Sequence, residues 1–328
     1  MSVETQITVD VRLPNLDSGR LRRELRDALT GSPRTIPSHF FYDDHGSRLF
    51  ERICEQPEYY QTRTERAILD AIAPDVVERT EARDLVELGS GASTKTRVLL
   101  DAMSSAGILE RYVPVDVSEG IVRRSAQDLA ERYPGLTVHA VIADFVRDLG
   151  ALPDSGHQLG VFLGGTIGNF RPAAAAELLG LLGESLGEGA FLLVGMDLIK
   201  DPQLLEAAYN DAQGVTAEFN RNILSVVNRI CDGDFNPDAF SHRAIYNEEQ
   251  HRIEMWLDAQ GPQRVQLRDL DLTLDLADRE GIRTEISVKY NRALAEDLLR
   301  RAGFNPVAWY PDSANRFALA LAQRNPES

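Results

Sequence analysis

Residues 89–102 read GSGASTKTRVLLDA and directly follow the apolar run LVEL at 85–88. An apolar run that ends in a glycine-rich turn and continues as a helical pattern is typical of the first strand, turn and helix of a nucleotide-binding α/β sheet. Four further apolar runs, separated by amphipathic stretches, are YVPVDV (112–117), VHAVIADF (138–145), GVFLGGTI (160–167) and GAFLLVGMDL (189–198). This rhythm predicts a parallel sheet with crossover helices, an α/β fold of the Rossmann-like kind.

Two segments do not follow this alternation, and they predict a second domain. Near the C-terminus, ALAEDLLRRAGF (293–304) reads as a helix stopped by Gly303, followed by two closing strands at the edge of the same sheet. The segments 1–61 and 201–286 differ, and the second is too long for a structureless loop. We predict that a sheet domain comprises 62–200 and 287–328, and that an α+β substrate-binding domain comprises 15–61 and 201–286 and covers the carboxyl ends of the strands, where ligands of such sheets bind.

The composition excludes several classes of protein. A formal net charge of −16 and a pI near 4.9 would repel a phosphate backbone, so DNA and RNA are poor candidate substrates. The two cysteines, Cys54 and Cys231, lie far apart and lack the spacing of a metal site, so we expect reduced thiols and no metal. No segment approaches the ~18 apolar residues of a membrane span, and the N-terminus does not read as a secretory signal. We therefore expect a cytoplasmic protein that does not bind membranes.

The glycine turn lacks the glycine that two kinds of phosphate-binding loop have at position 94. A phosphate loop requires GxxxxGK[ST], whereas Thr94 stands here where the second glycine would lie, before Lys95 and Thr96. A β-branched residue disfavours the backbone conformation that wraps a phosphate. A nicotinamide dinucleotide is the second candidate, but Thr94 also replaces the third glycine of GxGxxG, so a pyrophosphate would lack its seat at the helix end. The remaining interpretation is that the glycines allow an uncharged group to approach the backbone.

Polar residues at the ends of the next two strands indicate what that group is. Asp116 ends one strand, where a carboxylate can accept both hydroxyls of a ribose. Asp144 and Phe145 end the following strand, where a carboxylate can accept from an adenine amino group and a ring can cover the base. Alone, Asp116 could be a helix cap and Asp144 a turn residue. Together with the GxG turn they predict an adenosyl ligand that is bound without a phosphate-binding loop. S-adenosylmethionine is such a ligand.

Six segments extend this reading into a family resemblance. LVELGSGASTKTRVLLDA, VFLGGTIGNF, PEYYQTRTE, FNRNILSVVN, RIEMWL and TEISVKY resemble the bacterial histidine Nα-methyltransferases of ergothioneine biosynthesis, from about residue 20 to the C-terminal strand. The resemblance implies a class I methyltransferase sheet and three successive methyl transfers from S-adenosylmethionine to the α-amino nitrogen of L-histidine and of its mono- and dimethylated forms. The product would be hercynine. We expect a monomer.

The resemblance also implies roles for individual residues. The family's cofactor contacts fall on Gly89, Lys95, Asp116, Asp144 and Phe145, with Lys95 at the carboxylate of the cofactor, its only anionic group. The substrate contacts fall on Tyr59, Asn169, Tyr209, Glu285 and Ser287, with Tyr42 and the Gly164 carbonyl near the amino group. Met255 is expected to be a wall of the pocket or part of the core. Tyr42 and Tyr59 are the candidate catalytic residues, with Tyr42 and a water orienting the amine.

Glu285 and Ser287 suit an imidazole, because residues two apart on a strand share one face. A carboxylate accepts from one ring N–H and favours the protonated ring, and a hydroxyl can donate or accept as the tautomer requires. Tyr59 would then bind the other ring nitrogen, and Asn169 and Tyr209 the substrate carboxylate. The plain alternative is an exposed polar strand face. Tyr209, four residues after Leu205 on a predicted helix, could likewise be a packing tyrosine with its hydroxyl at the surface, and Asn169 could be a turn residue.

Repeated methylation adds an expectation about aromatic residues. The product is a fixed cation, which the faces of aromatic rings stabilise. Phe40, Phe41, Tyr42 and Tyr59 are available in the N-terminal segment, and we predict that at least one faces the amine. Three other functions stay open: an N-methyltransferase of tyrosine or tryptophan, a methyltransferase of a macromolecule, and a non-catalytic nucleoside-binding module.

Overall fold

The chain divides into two units in a computed structural model that describes residues 6–12, 18–91, 93–145, 152 and 157–325. Unit 1 comprises Met1–Pro14, Arg63–Leu198 and Tyr290–Ser328, and unit 2 comprises Asn15–Thr62 and Ile199–Lys289. The boundaries differ from the predicted domains by a few residues. Residues 6–12 belong to unit 1, and residues 62, 199–200 and 287–289 lie in unit 2 instead of the sheet domain.

Unit 1 is built on an eight-stranded sheet with helices between its strands. Numbered in chain order, its strands are β1 (Ile7–Val11), β2 (Asp84–Leu88), β3 (Arg111–Asp116), β4 (Thr137–Ile142), β5 (Gln158–Phe162), β6 (Phe191–Asp197), β12 (Phe304–Pro311) and β13 (Phe317–Arg324). Its helices are α3 (Tyr60–Thr80), whose first residues belong to unit 2, α4 (Arg97–Ser105), α5 (Glu119–Arg132), α6 (Pro172–Leu186) and α9 (Arg292–Arg301). The strand order is β1-β4-β3-β2-β5-β6-β13-β12. The first six strands pair in parallel, and β13 runs antiparallel to β6 and β12.

The predicted α/β class is therefore confirmed, together with the two closing strands at the sheet edge. All five residues of β2 are buried, as expected for a parallel strand covered on both faces. The chain moves from β2 to β3 and β4 on one side and then returns to β5 on the other, so the order reverses between β2 and β5. Ligands of open α/β sheets bind at this switch point, beyond the carboxyl ends of the strands. The turns after β2 and β5 are the ones that contain Gly89 and Gly164.

The edge strand β1 was not predicted from the sequence. It pairs in parallel with β4, with Ile7 opposite Val138 and Val11 opposite Ile142. Ile7 and Val11 are 41% and 49% exposed, so this strand lacks the continuous burial that identifies the central strands. Its short alternating pattern gave no signal that distinguished it from a tail.

Unit 2 is an α+β unit with a hydrophobic core of its own. It contains α1 (Ser18–Thr30), α2 (Asp44–Cys54), α7 (Pro202–Ala208), α8 (Val215–Cys231), β7 (Phe240–Asn247), β8 (Arg252–Ala259), β9 (Gln263–Leu267), β10 (Leu272–Leu276) and β11 (Gly281–Val288). The strands form a three-stranded antiparallel sheet in the order β11-β8-β7 and a separate β9-β10 hairpin. Phe219, Ile223 and Val227, spaced four apart along one face of α8, are buried in the core of this unit.

Two properties of the described residues bear on partners. None of the helices in these ranges is long and apolar enough to cross a membrane. Within the same ranges, no group of three or more His, Cys, Asp or Glu side chains is placed to hold a metal ion.

Candidate active site

The glycine turn after β2 is held by backbone hydrogen bonds and by one carboxylate. Gly89 and Gly91 have φ values of 65° and 47°, in the left-handed region that glycine adopts readily. The N–H of Gly89 donates to the Val115 carbonyl at 2.8 Å, and the N–H of Gly91 donates to Oδ2 of Asp116 at 2.9 Å. A Cβ added at Gly91 would meet no heavy atom within 4 Å, so the space beside this turn is open.

The predicted adenosyl contacts lie around this turn. Asp116 is half-buried, and its Oδ1 accepts from the N–H of Ser118 at 2.9 Å, so each carboxylate oxygen bonds one backbone amide and keeps further lone-pair capacity. Phe145, just after β4, places a ring carbon 3.8 Å from the position of a Cβ on Gly89, and its ring meets Phe162 edge-on at 5.6 Å. Asp144 precedes it and is also half-buried. These positions fit a ribose and a flat base.

A buried hydroxyl in the same turn supports this fit. Ser90 is 6% exposed, and its Oγ has no hydrogen-bond partner among the described residues. A buried polar atom without a partner is unfavourable by about 1–3 kcal/mol, so a ligand atom at this point would relieve the penalty. The turn therefore fits an adenosyl cofactor, and it offers hydrogen-bonding groups without a phosphate cradle.

Beneath the turn lies a buried hydrogen-bond network that the sequence analysis missed. Glu87, the fourth residue of β2, accepts hydrogen bonds from the hydroxyls of Thr96 and Tyr112. The Tyr112 hydroxyl also lies 2.8 Å from Oγ of Ser93, which in turn lies 3.0 Å from Oγ of Ser125. Burial raises the pKa of Glu87 to about 7, although the two hydroxyl donors lower it. The network ties both ends of the turn to the sheet.

Lys95 is a predicted cofactor contact and Gly164 is a predicted substrate contact. The two are connected by a residue that was not predicted. Glu65 on α3 is completely buried, and its carboxylate pairs with the Lys95 ammonium. The same carboxylate accepts from the N–H of Gly164 at 2.8 and 2.9 Å. A Cβ at Gly195 would overlap the Glu65 carboxylate, which explains a glycine in the middle of β6. Glu65 thus fixes both the ammonium and the turn after β5.

The turn after β5 also carries Asn169. Gly164 and Gly165 have φ values of 80° and 68°, and the chain then forms a single 3₁₀ turn over Thr166–Asn169 before α6. Asn169 is half-buried and ends that turn. No hydrogen bond within the described ranges reaches the Gly164 carbonyl oxygen. Both predicted substrate contacts of unit 1 are therefore on the turn that Glu65 anchors.

In unit 2, Tyr209 and Ser287 are in direct contact, and a buried lysine joins them. The Tyr209 hydroxyl lies 2.8 Å from Oγ of Ser287. Nζ of Lys289 donates to the Tyr209 hydroxyl at 2.9 Å and to Oγ of Ser287 at 2.7 Å. The prediction that Tyr209 lies within a helix is wrong, because α7 ends at Ala208 and Tyr209 caps it. Its hydroxyl consequently turns into the unit instead of lying at the surface.

The backbone of Tyr209 is held by a second buried group. Nε2 of His242 lies 2.8 Å from the Tyr209 carbonyl oxygen, and Nδ1 of His242 lies 2.8 Å from the amide nitrogen of Asn220. Burial lowers the pKa of His242, so the ring is neutral, with Nε2–H donating to the carbonyl and Nδ1 accepting from the amide. Asn220 in turn accepts from the Thr284 hydroxyl at 2.6 Å. Tyr209 is therefore fixed from both its backbone and its hydroxyl.

Glu285 lies on the same strand face as Ser287. Across the sheet, Glu285 is opposite Met255 and Ser287 is opposite Ile253, so all four side chains share one side. Burial raises the pKa of Glu285 to about 7, while the charge of Lys289 opposes the rise. Glu285 is half-buried, and its carboxylate has no hydrogen bond to any described residue. Met255 is 1% exposed and belongs to the hydrophobic core of unit 2.

The two candidate catalytic tyrosines belong to one aromatic cluster. Tyr42 meets Phe50 and Phe219 edge-on at 5.7 and 5.9 Å, and Tyr59 meets Phe50 and Tyr209 at 6.1 and 6.3 Å. Tyr59 is buried, and burial, strengthened by neighbouring Tyr209, raises its pKa well above the usual range. Tyr42 is the more accessible of the two at 36% exposed. The neighbouring Phe40 and Phe41 are buried in the core.

Asp43 anchors the segment that carries Tyr42. Its carboxylate caps α2 by accepting from the N–H of Gly46 at 2.7 Å, and it also accepts from the Asn222 amide at 2.9 Å and from Arg229. Burial alone would raise the pKa of Asp43, but these hydrogen bonds outweigh burial and lower it. Tyr42 is therefore attached to a fixed helix start.

Comparison with known proteins agrees with this chemistry. A histidine N-alpha-methyltransferase of Mycolicibacterium smegmatis is 47% identical over 304 residues, which cover 93% of this chain and 95% of that protein. A protein of the same name from Mycobacterium tuberculosis is 44% identical over 310 residues, covering 94% of this chain and 97% of that protein. Ergothioneine biosynthesis protein 1 of Schizosaccharomyces pombe is 30% identical over 227 residues, covering 65% of this chain and 29% of that protein.

These comparisons confirm the resemblance, the enzyme class and the cofactor that the sequence predicted. The family match spans residues 21–324, and so includes both units and every predicted contact residue. The chain belongs to the family of histidine-specific, S-adenosylmethionine-dependent methyltransferases.

Proposed function

We propose that the protein transfers three methyl groups in succession from S-adenosylmethionine to the α-amino nitrogen of L-histidine, giving hercynine for ergothioneine biosynthesis. The observation that carries this proposal is the Glu285 carboxylate, half-buried and without a hydrogen-bond partner among the described residues, on the strand face that also carries Ser287. A carboxylate in that state needs a donor. The ring N–H of histidine supplies one.

The cofactor is held by the residues around the glycine turn. Asp116 accepts the ribose hydroxyls, Asp144 accepts the adenine amino group, and the Phe145 ring covers the base beside Gly89. Lys95 faces the carboxylate of the methionine part, where a donor-only ammonium suits an anion. When bound, the cofactor supplies an activated methyl group on a sulfonium. All of these roles stay predictions.

The amine requires orientation more than it requires a strong base. A chain-terminal α-amino group has a pKa of about 7.7–8.0, so its deprotonation at neutral pH is unfavourable by only about 1 kcal/mol, and that of a free amino acid by somewhat more. Alignment of the reacting groups can by itself lower the barrier by ~7–11 kcal/mol. We therefore assign Tyr42, with a water, as an orienting group for the amine, supported by its exposure and by the fixed helix start at Asp43. The Gly164 carbonyl and Asn169 complete the predicted contacts of the amino acid.

The aromatic cluster suits a substrate that methylation converts into a permanent cation. The trimethylated product cannot lose its charge, and aromatic faces stabilise such a cation by ~0.5–2 kcal/mol each. Tyr42 and Tyr59 are the ring-bearing candidates, since Tyr42 is the most accessible of these rings and Tyr59 packs against the same Phe50 ring. Replacing Tyr42 or Tyr59 by phenylalanine separates the hydroxyl from the ring. If both variants perform all three methylations at the wild-type rate, the assignment of these hydroxyls is wrong.

The function itself is tested with purified protein, S-adenosylmethionine and single amino acids. Mass spectrometry should detect mono-, di- and trimethylhistidine in succession, and no methylation of tyrosine or tryptophan at equal concentration. Methylated tryptophan or tyrosine would support the second candidate, an N-methyltransferase of another aromatic amino acid. A protein that binds the cofactor and methylates none of the three would be a binding module. Action in the cytoplasm as a monomer, without nucleic-acid or membrane partners, remains our expectation.

A further inference from the structure

One buried asparagine of unit 2 bonds all three strands of the antiparallel sheet. Asn220 lies on α8 and is 0% exposed. Its amide nitrogen lies 2.8 Å from Nδ1 of His242 on β7 and 3.1 Å from the carbonyl oxygen of Trp256 on β8. Its amide oxygen lies 2.6 Å from the hydroxyl of Thr284 on β11. None of these four residues has a role in the function described so far.

The bulge at Thr284 decides which way Glu285 points. Arg283 is opposite Trp256 across the sheet, whereas Glu285, two residues later, is opposite the adjacent Met255. Thr284 is thus the extra residue of a β-bulge. In a regular strand, Glu285 would point to the same face as Arg283. Because of the bulge it points to the opposite face, the one that carries Met255.

Asn220 holds this bulge through the Thr284 side chain. Thr284 is 1% exposed, and its hydroxyl donates to the Asn220 amide oxygen and lies 3.2 Å from the Met255 carbonyl oxygen. The extra residue of a bulge is left out of the regular ladder between the strands. A side-chain hydrogen bond from α8 therefore supplies a fixed point where the ladder is interrupted, one residue before Glu285.

The Trp256 carbonyl determines the orientation of the Asn220 amide. A carbonyl oxygen only accepts, so the amide nitrogen must face it. The second hydrogen of that nitrogen points at Nδ1 of His242, which therefore carries the lone pair. The neutral ring then has its hydrogen at Nε2, 2.8 Å from the Tyr209 carbonyl oxygen, and donates to it. Burial lowers the pKa of His242, in agreement with a neutral ring. One amide orientation thus sets hydrogen bonds at both Tyr209 and Thr284.

We infer that Asn220 is a positioning residue, which sets the separation between Tyr209 and Glu285 and so the fit of the histidine substrate. It holds Tyr209 through His242, and it holds the bulge before Glu285 through Thr284. The inference rests on the proposed function. Loss of this network should weaken histidine binding in the folded protein and leave cofactor binding unchanged.

The first test removes one hydroxyl and retains the shape of the side chain. Thr284→Val should weaken histidine binding about 10-fold in calorimetry with S-adenosylhomocysteine present, and leave the affinity for S-adenosylhomocysteine unchanged. In a Glu285→Gln background, the added loss from Thr284→Val should shrink to about threefold or less, because Thr284 acts through Glu285. Unchanged histidine affinity in Thr284→Val, or the full loss in both backgrounds, would overturn the inference. If the wild-type protein binds no histidine, the proposed function fails, and this inference with it.

The two ring nitrogens of His242 can be tested separately. The amide nitrogen of a glutamine reaches the position of Nε2, and the amide oxygen of an asparagine reaches the position of Nδ1. His242→Gln therefore keeps a donor for the Tyr209 carbonyl, whereas His242→Asn keeps an acceptor for Asn220 and leaves that carbonyl without this donor. Histidine affinity should fall about 10-fold in His242→Asn and about threefold or less in His242→Gln. Equal affinities in the two variants would refute the connection through Tyr209.

Asn228 offers a matched control on the same helix. Its amide nitrogen donates to the Phe235 carbonyl at 2.8 Å, and its amide oxygen accepts from the Phe235 N–H at 2.9 Å. Asn228→Asp should leave the affinity for histidine unchanged, even where it lowers the free energy of unfolding in a urea titration. Asn220→Asp should weaken histidine binding about 10-fold. An equal loss in both variants would mean that Asn220 contributes only general stability, and would count against the inference.

Discussion

Replacing Glu285 by glutamine is expected to stabilise the ligand-free protein while it abolishes tight histidine binding. Burial holds the pKa of Glu285 at about 7, against an ordinary value of 4.5. At ~1.36 kcal/mol per pKa unit, the ionised carboxylate therefore destabilises the folded state by about 3 kcal/mol once the pH is well above 7. Glutamine has nearly the same shape and carries no charge, so it removes that penalty.

The sign of the effect gives it a distinctive pH dependence. A group whose pKa is raised on folding contributes stability that is fully present below 4.5, the unfolded value, and is lost as the pH rises through about 7. Between these values the folded protein retains a proton that the unfolded chain has released. The advantage of Glu285→Gln should then be below about 1 kcal/mol at pH 5 and about 3 kcal/mol at pH 8.5.

Unit 2 can be followed separately from unit 1 in a urea titration. The chain has two tryptophans, Trp256 in unit 2 and Trp309 in unit 1, so a Trp309→Phe background leaves Trp256 as the fluorescent reporter of the relevant unit. Separate reporting is needed because a chain of two units need not unfold in a single step. Glu184→Gln, at an exposed position of α6, is the control and should change stability at neither pH.

The same variant must lose function for the reasoning to hold. Loss of a hydrogen bond to a charged group is worth about 1.5–3 kcal/mol, which predicts a ~10- to 150-fold weaker affinity for histidine by calorimetry with S-adenosylhomocysteine present. A Glu285→Gln protein that is less stable than its parent at pH 8.5 would refute the idea that the carboxylate is held at an energetic cost. Unchanged histidine affinity would refute its assignment to the ring.

Three further predictions concern unit 1. Asp116→Asn removes the charge that the ribose hydroxyls would meet and should weaken S-adenosylhomocysteine binding about 10- to 100-fold in calorimetry, whereas Asp128→Asn, at an exposed position of α5, should not. Gly195→Ala places a methyl group against the Glu65 carboxylate and should lower the free energy of unfolding by about 1–3 kcal/mol in urea titrations, whereas Gly120→Ala on α5 should be neutral or stabilising. Tyr112→Phe removes a donor from buried Glu87 and should destabilise unit 1 by about 1–3 kcal/mol; unchanged stability would show that the network beneath the glycine turn is not structural.

The sheet and the adenosyl contacts were predictable because their signals are local. LVEL is a continuous apolar run, and the structure buries each of its residues in β2. Gly89 and Gly91 flank Ser90 in the pattern of a turn, and both adopt positive φ. Asp116 and Phe145 are placed by the ends of their strands, which parallel topology brings to one edge. In each case the relevant spacing lies within one strand–turn–helix unit.

The residues that were missed act across long stretches of chain. Glu65 bonds the N–H of Gly164, 99 residues later, and nothing near residue 65 indicates that contact. Tyr209 was misplaced because its spacing from Leu205 fits a helix that ends one residue earlier. Lys289 lies one residue beyond β11, and its contacts with Tyr209 and Ser287 were not predicted either.

Selection of histidine over other aromatic amino acids then depends on more than Glu285. Indole has a ring N–H, so tryptophan could satisfy the carboxylate, and Glu285 alone would reject it weakly. A pocket built to bond a particular polar group rejects a ligand that lacks it by up to ~10⁴–10⁵, because the buried group is left unpaired. In this protein the strand face of Glu285 also carries the Ser287 hydroxyl, and indole has no ring lone pair that could accept from a hydroxyl. Rejection of tryptophan is therefore expected to weaken in Ser287→Ala as well as in Glu285→Gln, measured as the ratio of the affinities for histidine and tryptophan; an unchanged ratio in Ser287→Ala would contradict this reasoning.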